Sequence, residues 1–123
     1  MMDKTVLVVD DDDMTRSVVA GILRGSGYQV VMAQNGEEGL GALATMAPEA
    51  ILLDVRMPGI DGVEVCRRIR QNPDRADTPV IFVTAYAEQK LIDEVRAIPG
   101  THIISKPFLP FTFLEKFRRC LAA

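Results

Sequence analysis

The sequence predicts an α/β domain in which a parallel sheet is covered on both faces by helices. Short β-branched runs recur at residues 5–9, 29–32, 50–53, 80–83 and 101–104. Amphipathic stretches of about a dozen residues separate them, with apolar positions at helical spacing. All the runs except the second are nearly continuous apolar segments, the pattern of strands buried on both sides. Strand–helix alternation with such burial gives parallel strands joined by right-handed crossovers.

The elements follow in order. The first strand, residues 5–9, runs straight into Asp10-Asp11-Asp12-Asp13. Asp12 or Asp13 then stands where a helix N-cap belongs. Residues 14–24 form the first helix, with Val18, Val19, Ile22 and Leu23 expected inward, and Gly25-Ser26-Gly27 ends it. The second strand closes on Ala33-Gln34, followed by the turn pair Asn35-Gly36, as expected of a strand at the sheet margin. The third strand, 50–53, is followed by Asp54 and the turn pair Pro58-Gly59. The helix at 63–70 places Val65 and Ile69 inward and Arg67, Arg68 and Arg70 largely outward, and Asn72-Pro73 closes it. The last helix, 110–121, has Pro110 at its start, a stripe of Leu114, Phe117 and Leu121, and Lys116, Arg118 and Arg119 toward its C-terminal end, where the helix dipole favours bases. His102 is expected in a surface loop. Cys66 and Cys120 are expected on helix faces as small hydrophobes, and Met32, Met46 and Met57 as packing or loop residues.

Composition narrows the class. A chain of 123 residues is about one domain, and 48% hydrophobic residues support a packed core. The expected organisation is therefore a single domain over residues 1–123. No apolar run approaches the roughly 20 residues that span a bilayer. The first apolar run is short and ends in four aspartates, unlike a secretory signal. Two cysteines make no disulfide framework, and one histidine makes no His-rich metal site. A cytoplasmic protein is expected. The net charge of −3 is local in origin, since without Asp10, Asp11, Asp12, Asp13 and Asp54 bases would outnumber acids. The bases are scattered, so no nucleic-acid footprint is expected.

In open parallel sheets, ligands bind beyond the carboxyl ends of the strands. Those ends carry Asp10 and Asp11, then Asp54, then Thr84, then Ser105 and Lys106. Clustered carboxylates repel, and some must take up protons unless a cation joins them. An all-oxygen set without His or Cys favours a hard ion, and Mg²⁺ fits best because it binds one or two carboxylates, keeps waters and shares phosphate oxygens. Lys106 adds a point charge suited to a phosphoryl oxygen, and Thr84 a hydroxyl. Together these groups match phosphoryl transfer to an aspartate. The central position of the third strand makes Asp54 the candidate nucleophile. Taken alone, Thr84 is an ordinary strand-end residue and Lys106 an ordinary surface lysine; their convergence with the three acids gives them weight.

These residues closely resemble the receiver domain of two-component response regulators. The likeness is carried by Val6-Leu7-Val8-Val9-Asp10-Asp11, by Leu52-Leu53-Asp54-Val55-Arg56-Met57-Pro58-Gly59-Ile60-Asp61-Gly62, by Phe82-Val83-Thr84-Ala85 and by Ser105-Lys106-Pro107-Phe108. It covers essentially the whole chain. The resemblance implies a flavodoxin-like (βα)5 sandwich with strand order 2-1-3-4-5, an order known from this very family. It implies that Asp54 accepts phosphate from a histidine kinase or phosphotransfer protein. Asp10, Asp11, Asp54 and the Arg56 backbone carbonyl would hold Mg²⁺. Lys106 would contact the phosphoryl group, and Thr84 would move toward it and transmit the switch. A cis Lys106–Pro107 bond is also implied. The face formed by the fourth helix, fifth strand and fifth helix, about residues 87–121, would bind the output partner or a second copy.

Some positions depart from the family pattern. Ile103 stands where an aromatic residue often couples to the threonine. Leu109 replaces a common polar cap, and with Phe111 it would form an apolar patch if exposed, the alternative being local packing against the fourth helix. Arg56 and Tyr86 flank the site where many relatives carry small or amide groups, and they are expected to shield an acyl phosphate from water. Two rivals fit part of the pattern. Asp11-Asp12-Asp13-Met14-Thr15 matches the Asp-x-Asp-x-Thr pattern of haloacid-dehalogenase-like phosphatases, but no acidic pair follows Lys106 and Asp54 would have no role. A receiver-like interaction module that is never phosphorylated would not need the full set of five residues.

Overall fold

The computed structural model of the chain describes residues 4–85 and 87–122. Five strands, β1 (Thr5–Val9), β2 (Gln29–Ala33), β3 (Ala50–Leu53), β4 (Val80–Thr84) and β5 (Thr101–Ser105), alternate with five helices, α1 (Asp13–Gly25), α2 (Gly36–Ala42), α3 (Gly62–Arg70), α4 (Gln89–Arg96) and α5 (Pro110–Ala122). The strands form one parallel sheet of order β2-β1-β3-β4-β5. This is the flavodoxin-like arrangement. β2 lies at one margin, as its weaker apolar pattern indicated.

Two apolar layers sandwich the sheet, because alternate residues of a strand face opposite sides. Leu7, Val9, Ile51, Leu53 and Phe82 pack with Val65, Ile69, Leu91 and Val95 of α3 and α4. Val6, Val8, Leu52, Ile81 and Ile104 pack with Val19 and Leu23 of α1 and Phe113 and Phe117 of α5. β1, β3 and β4 are buried almost throughout, whereas β5, at the other margin, is mostly half-buried. Several expectations are corrected. His102 lies in β5, paired with Ile81, not in a surface loop. Val18 is 46% exposed, and Ala20 takes the inward place beside Val19 and Leu23. Phe113, absent from the expected α5 stripe, is fully buried there.

Local chemistry fixes the element ends. Asp12 is the α1 N-cap, accepting from the Thr15 backbone N–H at 3.1 Å and the Thr15 hydroxyl at 2.5 Å. Asn35 caps α2 and Asp61 caps α3 in the same way, each accepting from an N–H in the first turn of its helix. Gly59 supplies the positive φ of 80° that the Pro58-Gly59 turn requires. Arg70 and Arg75 tie the opposite edge of the sheet together. Arg70 donates to the carbonyls of Pro99, Gly100 and Arg75, and Arg75 to those of Leu43 and Met46. Arg70 is thus half-buried rather than outward.

The two cysteines are free and differ in setting. Cys66 is fully buried in α3, and burial pushes its thiol up to about 11; Cys120, in α5, is half-buried and its thiol is also raised by burial. Thiol reagents act on the thiolate and need access. In the native protein at about pH 8, Cys120 is expected to react at least roughly tenfold faster than Cys66, and unfolding in denaturant should erase the difference. Equal native rates would contradict this placement.

Candidate functional site

Backbone pairing continues past the strand ends and sets the site. The Asp54 N–H donates to the Val9 carbonyl, the Asp10 N–H to the Ala33 carbonyl and the Lys106 N–H to the Thr84 carbonyl. Asp10 and Asp54 therefore stand side by side past β1 and β3, and Lys106 follows β5. Thr84 ends β4, fully buried and in register with Ser105. All of the expected site residues lie at this one edge of the sheet.

The carboxylates are held closely. Asp10 is 3% exposed and Asp54 9%. Oxygens of Asp10, Asp11 and Asp54 lie within 4.8 Å of one another, with Asp11 on the solvent side. The Asp12 N–H donates to Asp10 Oδ1, and the Val55 N–H donates to Asp54 Oδ1 at 2.7 Å. The other oxygens share one cation: Lys106 Nζ donates to Asp10 Oδ2 at 3.1 Å and to Asp54 Oδ2 at 3.2 Å. Arg16 donates to the Asp10 carbonyl and so steadies the β1–α1 turn. The Lys106–Pro107 bond is cis.

One ammonium against three carboxylates leaves the cluster short of positive charge. Burial pushes the Asp10 carboxyl above its ordinary value of 3.8; Asp54 adds to this, while the Asp12 N–H and Lys106 oppose it. For Lys106, burial acts downward, but the charges of Asp10 and Asp54 outweigh it and the ammonium is raised above 10.5. The donor set therefore fits a hard divalent ion: all oxygen, anionic and partly desolvated. Beside it opens a cavity of about 650 Å³ whose walls include Asp11, Arg56, Met57, Asp61, Glu88 and Lys90.

Lys106→Met tests the cluster. It strands two buried carboxylates, and removing one partner of a buried pair costs about 3 kcal/mol. Lys106 has a raised folded pKa, so its contribution is fully present below 10.5 and is lost as pH rises through the folded value. Asp10 also has a raised folded pKa. Its contribution is present below 3.8 and fades as pH rises through the folded value, so acidification toward that value shrinks the deficit of the variant. Urea unfolding in chelator should show the full deficit near neutral pH and a smaller one with magnesium. Equal stability of variant and wild type in chelator would contradict the pairing.

Sequence reasoning missed the double pairing of Lys106 and the exposed ion pair between Arg56 and Glu88 at 3.5 Å. Neither has a local signal, since the partners lie far apart along the chain. Tyr86, expected beside Arg56, lies outside the described residues. Leu109 and Phe111 are 72% and 77% exposed, so they form no packed contact with α4. The phosphatase-like motif is spent locally: Asp12 caps α1 through Thr15, and Asp13 is exposed and pairs with Arg16.

A parallel sheet of this order with three acids, a lysine and a buried threonine at its carboxyl edge defines a phosphoryl-accepting signalling fold. Residues 6–118 match the response regulator receiver domain family, and the chain belongs to it. The chain is 44% identical over 122 residues to response regulator MprA of Mycolicibacterium vanbaalenii, covering 98% of this chain and 51% of that protein. It thus spans about half the length of the curated relatives it matches. The chemotaxis protein CheY4 of Vibrio cholerae superposes with a TM-score of 0.92 at 30% identity, covering 97% of this chain and 99% of that one. The receiver domain of a Pseudomonas aeruginosa sensor histidine kinase superposes with a TM-score of 0.88 at 25% identity, covering 99% and 100%; its structure holds a magnesium ion in the active-site cleft. The present chain is accordingly a receiver domain of two-component signalling, a family of phosphoacceptors. Among the described residues, no helix is long and apolar enough to cross a membrane.

Proposed function

We propose that the chain works as one receiver domain over residues 1–123, with Asp54 as its phosphoacceptor. The observation that carries this is the setting of Asp54: buried past the central strand, one oxygen held by the Val55 N–H, the other by Lys106, and flanked by Asp10 and Asp11. The donor is a phosphohistidine on a sensor histidine kinase or phosphotransfer protein. An Asp54 carboxylate oxygen forms a P–O bond as the P–N bond to the donor breaks, and the leaving imidazole nitrogen keeps the electron pair and takes a proton from water. Lys106 follows the phosphoryl oxygens and leaves Asp54, while Thr84 donates its hydroxyl to them. Asp10, Asp11, Asp54 and the Arg56 backbone carbonyl would hold Mg²⁺, which would supply positive charge to the phosphoryl oxygens. The same residues support slow hydrolysis of the acyl phosphate, so the protein resets itself rather than turning over external substrates.

The movement of Thr84 and Lys106 repacks the α4–β5–α5 face, which engages an output protein, a fused output domain or a second copy. Binding is to protein, with no direct role for nucleic acid or membrane. The location is the cytoplasm, where Cys66 and Cys120 stay reduced.

The test is transfer from a panel of autophosphorylated sensor kinases. The expected result is uptake of about one phosphoryl group per chain, abolished by chelator. Multiple turnover of a simple phosphate monoester, or no uptake from any kinase or from acetyl phosphate with magnesium, would overturn the proposal.

A further inference from the structure

Among the described residues, the ion pairs within helices or their first turns are Asp13–Arg16, Glu64–Arg68 and Glu115–Arg119. Lys106 accounts for two more at the acid cluster. Arg56–Glu88 is different. It joins the loop after β3 to the residue before α4, and both side chains line the cavity that opens beside Asp11. Arg56 lies two residues from Asp54, about 7 Å of extended chain, so its side chain can reach a group carried on Asp54. Glu88 occupies the α4 N-cap position but makes no side-chain cap there, and among the described residues its carboxylate pairs with Arg56.

We propose that Glu88 is a positioning residue for the phosphoryl group and acts through Arg56: it holds the guanidinium to one side of the mouth, and phosphorylation of Asp54 draws Arg56 across. This rests on Asp54 being the phosphoacceptor. The contest is unequal. Both partners are well exposed, with side chains 60% and 68% accessible, and such a pair is weak and screened by salt. A phosphoryl dianion accepts a guanidinium through two parallel, charge-assisted hydrogen bonds. The transferred Arg56 then covers the side from which water must attack phosphorus. The released Glu88 carboxylate remains at the N-terminus of α4, where the helix dipole favours negative charge. Glu88 therefore sets how long the phosphoryl group survives, by competing for its shield.

The test is decay of the phosphorylated protein after labelling with acetyl phosphate and magnesium. Glu88→Gln should lengthen the half-life about two- to fivefold, the range an exposed ion pair can supply. Glu88→Asp, which keeps the charge, should stay near wild type. In an Arg56→Ala background the half-life should be short, and Glu88→Gln should then change nothing. A half-life unaffected by Glu88→Gln, or the same change with and without Arg56, would overturn the proposal while leaving Asp54 as acceptor. Failure of the wild-type protein to label at all would instead overturn the phosphoacceptor assignment, and this proposal with it.

Discussion

Asp54→Asn is expected to reduce phosphoryl uptake to background, with the fold intact. The amide offers no anionic nucleophile, and it removes one of three carboxylates from the proposed ion site. Its oxygen can still accept from the Val55 N–H, and Lys106 keeps Asp10 as a partner. Removing a neighbouring negative charge also relieves Asp10, whose carboxyl should fall back toward its ordinary value because Asp54 is one of the causes that raise it. Intact-mass measurement after acetyl phosphate and magnesium reads the loss, and urea unfolding checks the fold. An adduct that survives the substitution would place the acceptor elsewhere, on Asp10 or Asp11.

Gly62→Ala is expected to damage both stability and function. A Cβ at this first residue of α3 would sit 2.1 Å from the Asp54 backbone carbonyl oxygen and 3.0 Å from Val55 Cα. Those neighbours are backbone and cannot rotate away. The Gly62 N–H donates to the Val55 carbonyl at 2.9 Å, so relief of the clash pulls α3 off the end of β3 and breaks this bond. Overpacking of this kind costs up to about 3 kcal/mol, or roughly a 10 °C fall in Tm for a domain of this size. The shift also moves Asp54, and misplacement of a reacting group by about 1 Å costs on the order of a hundredfold in rate. A variant within about 0.5 kcal/mol of wild type would show that the α3 start moves freely, contrary to this packing.

Much of the fold was legible because its strands are apolar on both faces and its turns carry Gly, Pro and Asn. The acid cluster was legible because parallel topology sends every strand end to one edge, so Asp10, Asp11, Asp54, Thr84 and Lys106 had to meet. Strand order was not readable from periodicity and rested on the family likeness. The misplaced residues have separate physical causes. Val18 is apolar but faces out, since a helix packed on a sheet buries only one stripe. His102 falls inside the apolar run at 101–104, and a lone polar ring in a half-buried margin strand carries no local sign of whether it belongs to the strand or to a loop. Long-range polar contacts left no trace in local sequence: Lys106 reaching two acids, Arg70 gathering three carbonyls, Arg56 meeting Glu88. The tight seat of Gly62 was equally hidden, because the clash is with a backbone that only folding brings near.

The most direct measurement of the central claim is a crystal structure with magnesium and beryllofluoride. Beryllium should bond to an Asp54 carboxylate oxygen, with the metal ion on Asp10, Asp11, Asp54 and the Arg56 carbonyl, and Lys106 turned from Asp54 to a fluorine. Electron density for the mimic on a different carboxylate, or a cluster still closed by Lys106 with neither group bound, would contradict it.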